Sequence, residues 1–501
     1  MRQLPKPFAT QLAGFSGKLT TWRLTAVSAA FGLVIAVGAV AASGPWDSSG
    51  QRTAERDRAA SQEALGGADH AGRGPEGSPE AAPSAPSVLA GLGAPAGAAP
   101  APTHSSLADV LDPLLKDPAL GPERSAVVLD AASGKRVYGK GAGDGLTPAS
   151  TIKIATAVAA LSAAGPDHRI TTKTMLGPDT SGAPDVVLVG GGDPTLTARK
   201  DGRYTDTAAS LRILAEDTAR SLKSRRIDKV KLSYDTSLYS GPALHPIGPN
   251  ENITPVSALM ADEGRLDDSS SGPAPRAEDP AGDAAKKFAG FLKDHGVTVT
   301  SDPGPAKAPP RATALAKVES PPLSALVERM LTHSDNDIAE ALARQAAVAA
   351  KEPASFEGAG RAVRARLSEL RLPLSGAKFT DGSGLDRADR VSAELLATLL
   401  DRAADPSRPG LRSVVTGLPV AGFTGTLVDR YPKDSPGTGV VRAKTGTLTG
   451  VNSLAGTVVD ADGRLLVFAF MTTGTTDPQA AQSTLDHMAS TVANCGCRAD
   501  R

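Results

Sequence analysis

The chain has 501 residues, enough for two or three domains, and its 54 lysines and arginines balance 54 aspartates and glutamates. With no net charge, 3% aromatic residues and scattered basic residues, it lacks the makings of a nucleic-acid surface. Neither a P-loop nor a dinucleotide fingerprint is present, since Gly190-Gly191-Gly192 has the wrong spacing and reads as a turn after a strand. In chain order the first feature is Leu24 to Ala42, an uncharged apolar run about as long as the ~20 residues needed to span a bilayer. Arg2, Lys6, Lys18 and Arg23 precede it, so residues 1–23 are expected in the cytoplasm, 24–43 in the membrane and the rest outside. Ala39-Val40-Ala41 and Ala41-Ala42-Ser43 also suit a cleaved signal peptide, which would export the same remainder. Residues 44–104 are rich in Ala, Gly, Pro and Ser and cannot bury a core, so they are expected to be a disordered tether.

From residue 105 the patterns are those of a folded protein. Ser125 to Asp130 and Arg136 to Lys140 read as strands around Ala132-Ser133-Gly134. Thr147-Pro148-Ala149-Ser150-Thr151-Ile152-Lys153 leads into the alanine-rich run Ile154 to Ala164 and a Gly165-Pro166 stop, which reads as a helix beginning at or just before Ser150. A strand at Asp185 to Val189, a helix near Thr207 to Leu222, a strand at Lys229 to Tyr234 and a helix from Ala281 to His295 follow. Two apolar-periodic stretches, Leu323 to Leu331 and Ile338 to Ala350, flank a break at Ser334-Asp335-Asn336. Val440 to Leu448 is strand-like, Leu454 to Val459 and Arg464 to Met471 form a hairpin pattern, and Asp477-Pro478 opens a last helix through Val492. Cys495 and Cys497 flank one glycine; loosely ordered thiols are expected, with a strained disulfide as the alternative, and two cysteines fall short of a zinc site.

Three short motifs carry chemistry. In Ser150-Thr151-Ile152-Lys153 the lysine lies one helical turn beyond the serine on the same face, within reach of its hydroxyl. A serine is a weak nucleophile without an adjacent base. Lysine can serve if its pKa falls from about 10.4 toward 7, roughly 4 kcal/mol, which burial and a second cation supply; Lys444 is the candidate cation. In the break between helices, Ser334 is placed to relay a proton between Lys153 and a leaving amine, and the Asn336 amide to bond a substrate peptide group. On the third motif's strand, Lys444, Thr445 and Thr447 are expected round a bound carboxylate, with Gly446 permitting close approach by a ligand. The backbone N–H groups of Ser150 and Thr447 then form an oxyanion hole. His333, next to the second motif, suggests a Ser-His pair instead, a weaker reading beside a complete Ser-Lys-Ser set.

Ser150-Thr151-Ile152-Lys153, Ser334-Asp335-Asn336 and Lys444-Thr445-Gly446, in that order, make up the active-site set of penicillin-recognising serine enzymes. The chain resembles the class C low-molecular-mass penicillin-binding proteins, the family of D-alanyl-D-alanine carboxypeptidases and endopeptidases that trim peptidoglycan peptides. Val187 to Leu196 (VLVGGGDPTL), Asp381-Gly382-Ser383-Gly384-Leu385 and Gly425 to Arg430 (GTLVDR) add to the likeness, which covers roughly residues 105 to 495. Asp386 stands where the family usually has serine. The 184 positions from Ser150 to Ser334 exceed a direct helix-to-helix connection and imply an inserted domain. The expected organisation is a catalytic domain in two segments, 105–165 and 301–501, with the insert at 166–300 between them.

The resemblance implies a β-lactamase-like catalytic α/β fold, an antiparallel sheet flanked by helices, with a nested accessory domain. It implies a serine-type D-Ala-D-Ala carboxypeptidase, with endopeptidase action open, that acts on stem peptides ending in D-Ala-D-Ala, is acylated by β-lactams and needs no metal or organic cofactor. Ser150, Lys153, Ser334 and Asn336 are then catalytic, and Lys444, Thr445, Gly446 and Thr447 bind substrate. A membrane-tethered sensor that is acylated without turnover is the alternative.

Overall fold

The structure, a computed structural model, describes residues 101–178, 183–200 and 208–496. The expected membrane run and nearly all of the tether therefore lie outside the described residues. Among the described residues no helix is long and apolar enough to cross a membrane.

Helix α1 (His104–Leu115) starts at Thr103, whose hydroxyl accepts the Ser106 N–H at 3.2 Å. Strands β1 (Glu123–Asp130) and β2 (Lys135–Lys140) form the expected hairpin. A short 3-10 turn (Ala149–Ile152) then leads into α2 (Lys153–Ala164), which is buried from Lys153 through Leu161. A helix apolar nearly all round must be enclosed by other elements, and Ala-rich α2 is the central helix of its region of the fold.

After α2 the chain builds β3 (Arg169–Leu176), β4 (Asp185–Val189), α3 (Leu211–Ser224), β5 (Lys229–Asp235), a long coil, α4 (Pro280–Asp294), β6 (Thr298–Val299), β7 (Gly304–Pro305) and β8 (Thr313–Pro322). These strands make one sheet in the order β6-β5-β4-β3-β8, with β7 also on β5. Its core, centred on Leu188, Leu214, Leu232 and Phe288, is separate from the cores of the catalytic region. β3 and β8 pair antiparallel from Arg169–Pro322 to Leu176–Thr313. The chain thus leaves α2 and returns to the next catalytic helix on adjacent strands, so a long insertion costs no separation at the site. Because β8 belongs to this sheet, the inserted layer runs to Pro322, past the expected end at residue 300.

Helices α5 (Leu323–His333), α6 (Asn336–Ala349), α7 (Phe356–Glu369), α8 (Ala393–Ala404) and short α9 (Arg412–Thr416) follow. Then come β9 (Arg442–Leu448), β10 (Val451–Val459), β11 (Leu465–Thr473) and α10 (Pro478–Ala493), the last capped by Asp477. The catalytic sheet is antiparallel in the order β2-β1-β11-β10-β9, which leaves β9 at an edge. Its strands alternate between two cores, as a period of two requires. Val127, Leu129, Val467 and Ala469 face α2, α5, α6 and α8, whereas Ala126, Val128, Phe468 and Phe470 face α1 and α10. Cys495, after α10, is disulfide-bonded, which corrects the expectation of thiols; the other cysteine, Cys497, lies outside the described residues.

Candidate active site

Ser150 sits in the 3-10 turn ahead of α2, half-buried, immediately after Ala149, whose φ is +49°. A left-handed alanine costs about 1–3 kcal/mol and persists only where surroundings impose it. Here they do. The Ser453 hydroxyl of β10 and the Thr151 hydroxyl both donate to Pro148 O at 2.7 Å, which ties the turn to the sheet. β9 also lies against it: a Cβ on Gly446 would stand 2.5 Å from Pro148 O. The close approach that Gly446 allows in this structure is therefore to the turn that carries Ser150.

Lys153 is fully buried one turn on, and its Nζ has three partners. It lies 3.0 Å from Ser150 Oγ, 2.7 Å from Asn336 Oδ1 and 2.6 Å from Ser383 O. The second and third orient the amine toward the first. Burial lowers Lys153 from an ordinary lysine to about 8, against the opposing charges of Asp381, Asp335, Glu340 and Asp337. Near neutrality a useful fraction is then unprotonated and able to accept the serine proton.

The break between α5 and α6 has the expected place. Ser334 takes the left-handed conformation, φ +58°, that ends α5. Asp335 caps α6 by accepting the Ile338 N–H at 2.9 Å, and Asn336 begins that helix. Asn336 Nδ2 donates to Asn252 O of the insert at 3.0 Å, so one donor and one acceptor of its amide hold the insert and Lys153, and the side chain also lines the cleft. Ser334 lines the cleft but is not among the hydrogen-bond partners of Lys153. Behind this loop the insert's left-handed turn Asp262-Glu263-Gly264 is held by Arg265, 2.9 Å from the Glu263 carboxylate, and by Arg276, which donates to Glu263 O at 2.8 Å and meets Asp337 of α6 at 3.0 Å. Burial and adjacent carboxylates push Glu263 well above the usual carboxylate range, and burial above all lifts Asp337 to about 7.

On β9, Thr445 and Thr447 line the cleft, and Thr445 Oγ1 lies 2.8 Å from Thr426 Oγ1. Lys444 is completely buried beneath the strand, donates to Thr445 O at 2.8 Å and does not line the cleft. Burial, then repulsion from Lys153 and Arg430, hold it well below an ordinary lysine. Of the two causes expected to depress Lys153, burial leads; the repulsion between the two lysines is felt at Lys444. The cleft between β9 and the α5–α6 loop has a volume of about 570 Å³. Arg265, Arg276 and Arg430 line it together with Asp335, each arginine paired with a carboxylate.

Three features of the site were not foreseen: the Ser383 carbonyl, Asn252 of the insert, and Arg430, which pairs with Asp486 at 2.8 Å beside the cleft. The departure at Asp386 has a local explanation, since its carboxylate accepts the Ala388 N–H at 2.8 Å and closes a turn.

The sequence matches the D-Ala-D-Ala carboxypeptidase 3 (S13) family over residues 107–275 and 268–495. The chain belongs to that family. This S13 chain is 37% identical over 409 residues to carboxypeptidase DacB of Mycolicibacterium smegmatis, covering 80% of this chain and 86% of that protein. It is 35% identical over 427 residues to carboxypeptidase Rv3627c of Mycobacterium tuberculosis, covering 84% and 90% respectively. The structure of penicillin binding protein 4 from Haemophilus influenzae is alike in fold, with a TM-score of 0.61 at 22% identity, over 76% of this chain and 98% of that one.

A buried lysine lowered to about 8 beside Ser150 sets the expected pH dependence of the S13 site. Acylation of Ser150 should rise about tenfold per pH unit on the acid side, bend near pH 8 and level above it, because only neutral Lys153 can take the proton. Stopped-flow acylation rates against pH check this; a profile flat from about pH 6 to about pH 9 would contradict it.

Proposed function

We propose that this protein is a serine-type D-alanyl-D-alanine carboxypeptidase that acts on peptidoglycan stem peptides through an acyl-enzyme and is covalently inhibited by β-lactams. The observation that carries the reading is a buried lysine, lowered to about 8, with its Nζ 3.0 Å from the hydroxyl of a serine held in a strained turn. Ser150 Oγ attacks the penultimate D-alanine carbonyl while Lys153 takes its proton, and the N–H groups of Ser150 and Thr447 receive the oxyanion. Ser334, across the cleft, hands a proton to the departing amine. Thr445 and Thr447 bond the terminal carboxylate, with Lys444 beneath the strand and Arg430 beside it; a bound carboxylate favours the charged form of Lys444 against its burial. Water then releases the acyl group.

The apolar run Leu24 to Ala42 and the cations before it support a membrane anchor with the catalytic region outside the cell. Signal cleavage would secrete the same region.

The full chain incubated with a peptide ending in D-Ala-D-Ala should release D-alanine catalytically. Penicillin should add one mass equivalent, which peptide mapping places on Ser150. Acylation without turnover would describe a sensor, and an adduct elsewhere would sink the proposal.

A further inference from the structure

Behind Lys153 lies a layer of buried polar side chains that the reaction above leaves unused. Asp381 opens a tight turn over residues 381–386 and holds it together. Its carboxylate accepts the N–H groups of Ser383 at 3.0 Å, Gly384 at 2.6 Å and Asp386 at 2.8 Å, and the Ser383 hydroxyl at 3.2 Å. This turn touches the site twice. It presents the Ser383 carbonyl to Lys153 Nζ, and it lays Gly384, φ +82°, so close to the nucleophile turn that a Cβ there would stand 2.0 Å from Ala149 O.

A further donor to Asp381 comes from outside the turn. His245, 1% exposed on the coil between β5 and α4, places Nε2 2.9 Å from Asp381 Oδ2, with its ring edge-on to Phe356 at 5.2 Å. Its other nitrogen, Nδ1, accepts the Ile247 N–H at 3.2 Å. A backbone N–H can only donate, so Nδ1 is the acceptor and the imidazole proton is on Nε2, directed at Asp381. The ring is thus a neutral donor held at both ends.

We infer that His245, contributed by the inserted segment, is a positioning residue for the catalytic base: its Nε2–H holds Asp381, and through the turn 381–386 it fixes the Ser383 carbonyl against Lys153 Nζ. The inference rests on the reading of Lys153 as base. Lys153 faces Asp381 from the turn, Asp335, Asp337 and Glu340 from α6 and its cap, and Lys444 from β9. His245 faces Asp381 and Glu340, and these in turn meet Asp389 and Arg344, the latter paired to Glu340 at 2.9 Å. Among the carboxylates, Asp381 acts most strongly on Lys153 in favour of its protonated form. Without the His245 donor more of that charge is bare, so the lysine keeps its proton to higher pH.

Two variants separate a donor from a packing ring: His245→Gln retains an N–H, and His245→Phe retains an aromatic ring against Phe356. Acylation of the full chain by a chromogenic cephalosporin and D-alanine release are measured from about pH 5 to about pH 10, with thermal midpoints to establish folding. His245→Phe should acylate about thirtyfold more slowly at neutral pH, with its acid limb moved up by about one pH unit and the loss in kcat, KM staying within about twofold. His245→Gln should stay within about threefold of wild type, with the acid limb in place. Wild-type rates and an unmoved limb in folded His245→Phe, or an equal loss in folded His245→Gln, would overturn the inference. A wild-type profile with no acid limb would instead overturn the base assignment beneath it.

Discussion

Replacing Lys153 with methionine is expected to slow acylation of Ser150 by about three orders of magnitude, within the 10²–10⁴ range of a positioned general base. Methionine is the informative replacement because its unbranched side chain fills the same fully buried site and suits a helix start. What is lost is the amine. Ser150 Oγ then has no acceptor for its proton, and Asn336 Oδ1 and Ser383 O lose their donor. The buried Ser383 oxygen left without this donor costs about 1–3 kcal/mol, and the half-buried Asn336 oxygen less, partly offset because a buried amine no longer has to be accommodated. A modest drop in thermal midpoint should therefore accompany the large kinetic loss. The residual rate, supported by the oxyanion hole alone, should no longer bend near pH 8. A variant within tenfold of wild type that keeps the bend would move the base elsewhere, His333 being a titratable candidate in the cleft.

The features of this site that depend on local spacing were legible in the sequence. Three residues from Ser150 to Lys153 put an amine over a hydroxyl whether the turn is 3-10 or α-helical, and the break at Ser334 to Asn336 is bounded by two clear apolar stripes. The features that depend on buried polar groups were not. β3 escaped notice because its inward positions after Ile170 are Thr172 and Thr174, and a buried threonine that bonds Thr218 Oγ1 at 2.8 Å looks polar in a hydropathy pattern. In α6, Asp337, Glu340 and Arg344 are all buried, yet a carboxylate and a guanidinium four residues apart normally signal a solvated face. The burial of Lys444 was hidden for a related reason. A lysine next to two threonines reads as a cleft cation, and only its burial under β9 reveals that it does not line the cleft and that desolvation holds it well below an ordinary lysine. Asn252 and His245 were invisible because nothing in a sequence tells which coil of an insert returns to a distant helix.

Gly446→Ala is expected to lower acylation by β-lactam and D-alanine release together, each by about a hundredfold, in a chain that still folds. The argument is steric. The added Cβ would lie 2.2 Å from Ser453 Oγ and 2.5 Å from Pro148 O. A serine hydroxyl can rotate away, although it gives up its 2.7 Å bond to Pro148 O in doing so. The Pro148 carbonyl is backbone and has no such freedom, because Thr151 Oγ1 also holds it at 2.7 Å. Ordinary contact begins near 3.4 Å, so β9 and the nucleophile turn must separate by the better part of an ångström. Overpacking of this kind typically costs about 1–3 kcal/mol, a lower thermal midpoint and not an unfolded protein. The kinetic cost is larger because the displaced pieces are the two that matter: the turn carries Ser150 and its N–H, and the strand carries the N–H of Thr447 and the threonines at the carboxylate. Misplacement by about 1 Å can cost about a hundredfold even when every side chain is present. Every substrate depends on that register, so a peptide amidated at its C-terminus should lose as much as the free acid, unlike a change in carboxylate recognition, which would spare the amidated peptide. A folded Gly446→Ala protein that acylates at the wild-type rate would mean that strand and turn are not held in the register described.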